Sequence, residues 1–312
     1  MELIRGYHNL QPSHNGCVAT IGNFDGVHLG HQAVIGQLAE KASELRLPTV
    51  VVLFEPQPQE YFQQDSSPAR LMRLRDKLMV LRRYSVDRVL CLRFDRRLAE
   101  MSAEDFIRTI LVEGLGVRYV VVGDDFRFGQ RRAGDFAMLQ RFGERYGFVV
   151  APMHTFSVDD MRVSSTRIRE ALAAGDLAGA ARLLGRGFRM SGRVAHGDKR
   201  GRTIGVPTAN IHLHRKVSPL RGVYAVEMFG VDGEPVSGVA NVGTRPTVDG
   251  TRTLLEVHLF GFDRDIYGRH VSVEFLHKLR DEQRFASFDE LRVRIDRDIE
   301  EAGAWLRVHG GR

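Results

Sequence analysis

Two histidines three residues apart, His28 and His31, punctuate the stretch Gly22-Asn23-Phe24-Asp25-Gly26-Val27-His28-Leu29-Gly30-His31. The apolar run Cys17–Ile21 ahead of it reads as a buried strand, and an amphipathic run begins at about Leu29. Strand, glycine-rich turn and helix start are the parts of an anion site, because unpaired backbone N–H groups and the positive end of the helix dipole converge there. On an opening helical turn, residues three apart share a face, so both imidazoles can serve one phosphate. Gly22, Phe24, Asp25 and Gly26 are the turn residues that would surround it. A glycine-rich turn with two solvent-facing histidines is the plainer alternative. Zinc fits less well, since Asp25 is the only further ligand type close by.

A second phosphate cradle is read at Ser164-Ser165-Thr166-Arg167, where hydroxyls at a helix start lie beside arginines. A serine there that merely caps the helix running toward Leu172 is compatible with that role. Asp124 and Asp125 precede Phe126-Arg127-Phe128. The acids could orient a ribose, a magnesium ion or a substrate hydroxyl, or form a solvated turn through Asx hydrogen bonds. The two phenylalanines could stack a flat ring or plug the domain.

The C-terminal half has phosphate chemistry of its own. Gly192–Arg202, with Gly192, His196, Gly197 and Arg202, is glycine-rich and basic and suits a flap over a triphosphate. Pro207-Thr208-Ala209-Asn210 follows, and the Thr208 hydroxyl and Asn210 amide oxygen are hard ligands suited to magnesium. In Leu254–Phe260 the strand period puts Leu255, Val257 and Leu259 on one face and Glu256 and His258 on the other. A carboxylate in an otherwise apolar strand is costly unless paired or put to use. Glu256 therefore reads as a general base for an attacking hydroxyl, with an ion pair to a nearby arginine as the alternative.

The elements that must position these groups follow from periodicity. Apolar runs at 17–21, 49–54, 88–92, 118–122 and 147–151 alternate with helical stretches at 32–46, 70–83, 103–112 and 135–146, and Ser102 is placed to cap the third helix. Nearly continuous apolar strands are those of a parallel sheet covered on both faces, with ligands at the strand C-termini. Residues 175–187 read as a connector. Beyond them, 223–229, 236–240, 254–260 and 271–279 are β-rich and separated by Asp-Gly and Tyr-Gly turns, which suggests a compact antiparallel barrel. Ser287-Phe288-Asp289-Glu290 is a capping box, and Phe288, Leu291, Ile295, Ile299 and Ala302 give the final helix its apolar stripe against the barrel's outside.

At 312 residues the chain accommodates two domains, divided here as 1–185 and 186–312. Its 43% hydrophobic and 27% charged residues are ordinary for a soluble globular protein. The net charge of +6 is diffuse, with neither a basic tail nor aromatic residues interleaved among basic clusters, so a nucleic-acid partner is not expected. No apolar run approaches the roughly 20 residues that cross a bilayer, and the N-terminus lacks a signal-peptide pattern. Cys17 and Cys91 lie in apolar runs as buried thiols. A cytoplasmic protein without membrane partners, monomeric or weakly self-associating, is the expectation.

His28-Leu29-Gly30-His31 resembles the signature of nucleotidyltransferases that transfer AMP from ATP. With Phe54–Pro58, Val122–Gly129, Ser164–Arg169, the quartet Pro207–Asn210, Gly238–Pro246 and Leu255–Phe285, the chain resembles end to end the bacterial bifunctional riboflavin kinase/FMN adenylyltransferase (FAD synthetase) family. That resemblance implies a doubly wound, nucleotidyltransferase-like α/β domain followed by a flavokinase-like barrel with a C-terminal helix. It implies phosphorylation of riboflavin to FMN with Mg²⁺ and ATP, then adenylylation of FMN to FAD with release of pyrophosphate. By the same resemblance Glu256 is the kinase base, Thr208 and Asn210 hold magnesium and ATP phosphates, and Arg280 and Glu282 lie on the flavin side. In the other domain His28 and His31 stabilise the ATP phosphates, Ser164, Thr166 and Arg167 complete the cradle, and Asp124, Phe126 and Arg127 belong to a flavin or ribose pocket. One position departs from the family: Gln57 stands in Phe54-Glu55-Pro56-Gln57-Pro58 where histidine is usual.

Overall fold

The computed structural model describes residues 1–123, 125–153, 156–158, 161–196, 206–213, 215, 217–247 and 250–309. The chain forms two compact units: 1–68 with 72–164, and 69–71 with 165–312.

The first unit is built on a six-stranded parallel sheet of β1 (Glu2–Arg5), β2 (Cys17–Ile21), β3 (Thr49–Glu55), β4 (Arg88–Arg93), β5 (Val117–Gly123) and β6 (Val149–Met153). The spatial order is β1-β4-β3-β2-β5-β6. From β2 the chain winds outward through β3 to β4, then returns to place β5 on the other side of β2. The C-terminal ends of β2 and β5 therefore flank the topological switch point, where open α/β sheets leave a crevice. Helix α1 (Leu29–Leu45) follows β2 and α2 (Pro58–Gln63) follows β3. Helix α3 is Leu74–Arg83, shorter at its start than the 70–83 expected, because the backbone is still extended at its N-cap Arg73 (φ −77°, ψ 159°). The short α4 (Arg96–Ala99) is followed by α5 (Ala103–Asp105), which runs on as a π-helix over Phe106–Gly114; α6 is Phe136–Tyr146. Both sheet faces are covered, as successive residues show. Val50, Val52 and Phe54 pack with Ile107, Ile110, Leu111 and Leu139 on one side. Val51 and Leu53 pack with Ile35, Leu38 and Leu81 on the other. The N-terminal strand β1 has no counterpart in the sequence reading: at four residues it is too short to show a pattern.

The second unit opens with α7 (Ser165–Ala174) and α8 (Leu177–Leu184), α8 packing on the last barrel strand. The 175–187 connector is thus largely this helix. After the two-residue strands β7 (Ser157–Val158) and β8 (Met161–Arg162) at the end of the first unit, six strands close a barrel: β9 (Arg189–Ala195), β10 (Ala209–His212), β11 (Gly222–Phe229), β12 (Val236–Thr247), β13 (Gly250–Leu259) and β14 (His270–Arg280). The order β10-β13-β12-β11-β14-β9 is antiparallel throughout. Closure leaves no unpaired sheet edge. The lumen is filled by alternate residues, among them Tyr224, Val226, Met228, Val242, Leu255, Val257 and Phe275, all 2% exposed or less. On the outer wall Val223, Ala225 and Val239 meet Ala302 and Leu306 of the C-terminal helix (Phe288–His309). The expected packing outside the barrel is what forms.

Candidate active sites

In the first unit the turn after β2 delivers both histidines to the start of α1. His28 is the N-cap: its Nδ1 accepts a hydrogen bond from the His31 backbone N–H at 3.3 Å. A ring that folds back in this way needs room. A Cβ on Gly30 would lie 3.2 Å from the His28 Cε1 and Nδ1 atoms, so glycine is what lets the imidazole sit over the helix start. The two rings stack with centroids 3.7 Å apart and planes 20° from parallel, and Phe24 packs on His31 with centroids 4.7 Å apart. His28 is buried.

The turn itself departs from ordinary backbone at three of four successive residues: Phe24, Gly26 and Val27 have φ of 47°, 86° and 39°. A β-branched residue in the left-handed region costs free energy and persists where the surroundings hold it. Here the buried carboxylate of Asp25 accepts from the Met72 N–H at 3.1 Å, and the buried Lys77 ammonium donates to the Asn23 carbonyl. Gln32 donates to the Val27 carbonyl at 2.9 Å. Asp25 thus anchors the turn from inside, while Gly22 lies where a side chain would meet Phe24 at 3.2 Å.

Beside β2 in the sheet, β3 leads into the Glu55–Pro58 turn. Gln57 caps α2 reciprocally with Glu60: its N–H donates to the Glu60 carboxylate at 2.8 Å, and its side chain accepts from the Glu60 N–H. Gln57 is 4% exposed, and its Nε2 meets no acceptor among the described residues. The same turn carries an aromatic group that sequence reasoning missed: Tyr61, Phe62 and Phe94 pack edge to face, with Phe62 still 66% exposed. Its signal was the Tyr-Phe pair directly after the motif.

After β5, Asp124 lies outside the described residues. Asp125 is exposed and pairs with Arg162 at 2.7 Å. Arg127 pairs with Asp135 at 3.4 Å. Phe126 stacks on Phe128, which is buried against Phe106, so Phe128 plugs the domain while Phe126 stays partly exposed above it. Ser164 is the last residue of the first unit; Ser165, Thr166 and Arg167 open α7 in the second.

On the barrel, the residues singled out from sequence fall on one row. Asn210 on β10 is opposite Glu256 on β13, and Glu256 is opposite Asn241 on β12. Asn241 is opposite Val223 on β11, which is opposite Arg280 on β14. Cross-strand partners share a face, so this row runs across five strands of the outer wall. It borders a cavity of about 480 Å³ that Thr208, Glu282, Phe285, Phe288 and Leu291 also line. Thr208 lies just ahead of β10, two residues before Asn210, and lines the same cavity. His258 lines the cavity too, and its Nδ1 contacts the Pro207 carbonyl at 2.8 Å.

Arg280 is held rather than free. It forms a fork with Asp298 of the C-terminal helix at 2.9 and 2.6 Å, and Arg294 adds a third contact at 3.0 Å. Asp298 is only 3% exposed, so two guanidinium groups compensate one buried carboxylate. Gly192 lies inside β9, where a Cβ would meet the His212 carbonyl at 2.4 Å; its smallness serves strand contact. His196 directly follows that strand, exposed and packed on Tyr267 with centroids 3.9 Å apart. Gly197 and Arg202 lie outside the described residues. Asn241 was missed because nothing local marks it; only the β12–β13 register sets it beside Glu256.

A doubly wound domain with a phosphate-type turn at its switch point, joined to a closed barrel with a carboxylate-centred outer pocket, defines a two-site transferase of phosphorylated substrates. Comparison with known proteins gives the family. Residues 10–167 match the FAD synthetase family and residues 184–306 the riboflavin kinase family. Proteins named bifunctional riboflavin kinase/FMN adenylyltransferase are 55% identical over 306 residues in Haemophilus influenzae, covering 98% of this chain and 99% of that one. In Escherichia coli K12 the identity is 56% over 299 residues, covering 96% of each chain. The chain belongs to the bifunctional riboflavin kinase/FMN adenylyltransferase family. A solved structure described as a macrolide-efflux protein from Streptococcus pneumoniae shares the fold, with a TM-score of 0.79 at 30% identity over 96% of this chain and 97% of that one. Among the described residues of the present chain, no helix is long and apolar enough to cross a membrane.

Proposed function

We infer that the barrel unit phosphorylates riboflavin to FMN and that the α/β unit adenylylates FMN to FAD, each with its own ATP. The observation that carries the first activity is the in-register row of Asn210 and Glu256 beside Thr208, bordering a cavity large enough for a substrate chain.

In the kinase step Glu256 accepts the proton of the ribityl 5′-hydroxyl as that oxygen attacks the γ-phosphorus of ATP, and ADP leaves. A magnesium ion, when bound, would neutralise charge on the phosphates. Thr208 and Asn210 fit it as hard oxygen donors lining one cavity. Among the described residues no cluster of three His, Cys, Asp or Glu forms a protein-only metal cage. Arg280, fixed by Asp298, and Glu282 border the flavin end. His196 and Gly192, with Gly197 and Arg202 beyond them, are assigned to the nucleotide side.

In the adenylyl transfer the FMN phosphate attacks the α-phosphorus of ATP and pyrophosphate leaves. The work of the protein is to place the phosphates and to meet charge as it develops. His28 and His31 present adjoining imidazoles for this at the positive end of α1. Gly22, Phe24, Asp25 and Gly26 shape the turn, and the spare Gln57 amide is a donor for a phosphate oxygen. Ser164, Ser165, Thr166 and Arg167 are assigned to the triphosphate, and Asp124, Phe126 and Arg127 to the flavin or ribose. We place the boundary between the catalytic domains at 185/186, just past α8, and the site of action in the cytoplasm, where both substrates are soluble.

A chromatographic time course with riboflavin, ATP and magnesium tests the pair of activities. FMN that appears first and then converts to FAD is expected. FMN that accumulates without FAD would remove the second activity, and no phosphorylation would remove the first.

A further inference from the structure

The outer row of the barrel contains one polar side chain that the kinase chemistry has not used. Asn241 faces the cavity from β12, directly opposite Glu256, with Val223 as its neighbour on the far side. Glu256 is thus flanked by two carboxamides, and the two flanks differ. The Asn210 flank also holds Thr208, the side assigned to the phosphates. The Asn241 flank leads through Val223 toward Phe285, Phe288, Leu291 and Ile295, the apolar wall of the cavity. The side-chain amide of Asn241 makes no hydrogen bond to another described residue.

A substrate whose reacting hydroxyl lies at Glu256, with its flat ring against the apolar wall, must run its chain past Asn241. Adjacent strands are about 4.8 Å apart, and their opposed Cβ atoms about 4.5–5.5 Å apart. From two side chains so spaced, hydrogen bonds of about 2.8 Å can converge on hydroxyls of adjacent carbons in a polyol chain. A hydroxyl both donates and accepts, as a primary amide does, so the two are complementary. We propose that Asn241 is a specificity-determining residue that hydrogen-bonds the secondary hydroxyl next to the acceptor hydroxyl, selecting a flavin with a hydroxylated chain. This rests on the reading of Glu256 as the base at the terminal hydroxyl. In this geometry Asn241 fixes how deeply the chain enters and therefore which hydroxyl reaches Glu256.

The test is a cycle of substrate against variant in the full-length enzyme. The substrates are riboflavin and 4′-deoxyriboflavin, in which a methylene replaces that secondary alcohol, and the readout is kcat/KM for phosphorylation. Wild type should prefer riboflavin by about ten- to a hundredfold, the range of one lost hydrogen bond in a desolvated site. Asn241→Ala should lose about as much on riboflavin and almost nothing further on the deoxy compound, so that the two losses do not add. Asn241→Ser, which keeps a hydroxyl, should recover part of the discrimination and carries the cycle if the alanine variant fails to fold. Conversion of supplied FMN to FAD should stay at the wild-type rate. Fully additive losses, or equal use of both flavins by wild type, would overturn the assignment. Glu256→Gln is run alongside: if it keeps kinase activity, the reading of the base fails, whatever the cycle shows.

Discussion

The imidazole rings of His28 and His31 lie face to face, 3.7 Å between centroids, with His28 also capping the helix on which His31 sits. In the function proposed above, helix capping and phosphate chemistry share one side chain. Replacing His28 by alanine removes both, and the cap alone is worth about 1 kcal/mol. His28→Asn separates them, since asparagine keeps a capping oxygen and loses the imidazole. Both variants should lower FAD formation about a hundredfold or more while FMN accumulates, read as flavin products by chromatography. Wild-type FAD yield in His28→Asn would assign the residue to capping alone.

Gln57 should contribute through its second amide hydrogen. Its side-chain oxygen is engaged by α2, and Nε2 is buried without an acceptor among the described residues. An unsatisfied buried donor is costly until something accepts from it, and an anionic oxygen is a strong acceptor. Gln57→Leu should therefore slow FMN adenylylation by about tenfold in kcat/KM with kinase activity unchanged. An unaffected adenylylation rate would show that the orphan donor plays no part in the reaction.

Asp298 is the keystone between the barrel and its closing helix. Deleting one partner of a buried ion pair leaves uncompensated charge and typically costs about 3–5 kcal/mol. Asp298→Ala leaves Arg280 and Arg294 facing each other across the vacated position and should lower the melting temperature markedly. Arg280→Ala leaves Asp298 with Arg294 and should cost less. Calorimetry of both variants checks the order, and a reversed order would contradict the network as drawn.

His277 stacks on Trp305 with planes 4° apart and centroids 5.0 Å apart, and His309 stacks on the same indole at 4.5 Å. Burial first, and the neighbouring His309 second, hold the His277 pKa below its ordinary value. The folded state thus binds this proton less readily than the unfolded chain. Its contribution favours folding above the unfolded pKa and is lost as pH falls toward the folded one. Trp305 is the only tryptophan, so its fluorescence reports the site directly. Emission should fall as pH drops below the usual imidazole range, and His277→Gln should remove that part of the titration. An unchanged titration curve in His277→Gln would overturn the assignment of the quenching to His277.

Much was legible in the chain because local physics wrote it there. The continuous apolar runs of β2 to β5 announce a sheet buried on both faces, and the alternation around Glu256 puts that carboxylate outside the barrel wall. The His28–His31 spacing fixes a shared helical face, and Ser287 with Glu290 marks where the last helix starts: the Glu290 N–H donates to the Ser287 hydroxyl at 3.2 Å. These depend on neighbours within a few residues, which sequence order supplies.

The rest needed the folded molecule. Gly192 looks like part of a phosphate flap until β10 is seen to run against it, and Arg280 looks available until Asp298 closes on it. Nothing near Asn241 hints that it stands beside Glu256, because strand register is set by the closure of six strands and not by residues adjacent in the chain. The sequence by itself determined the types of chemistry and the elements that carry them. Tertiary structure decided which polar groups are held by protein partners and which face the cavity, since cross-strand contacts and burial join residues far apart in the chain.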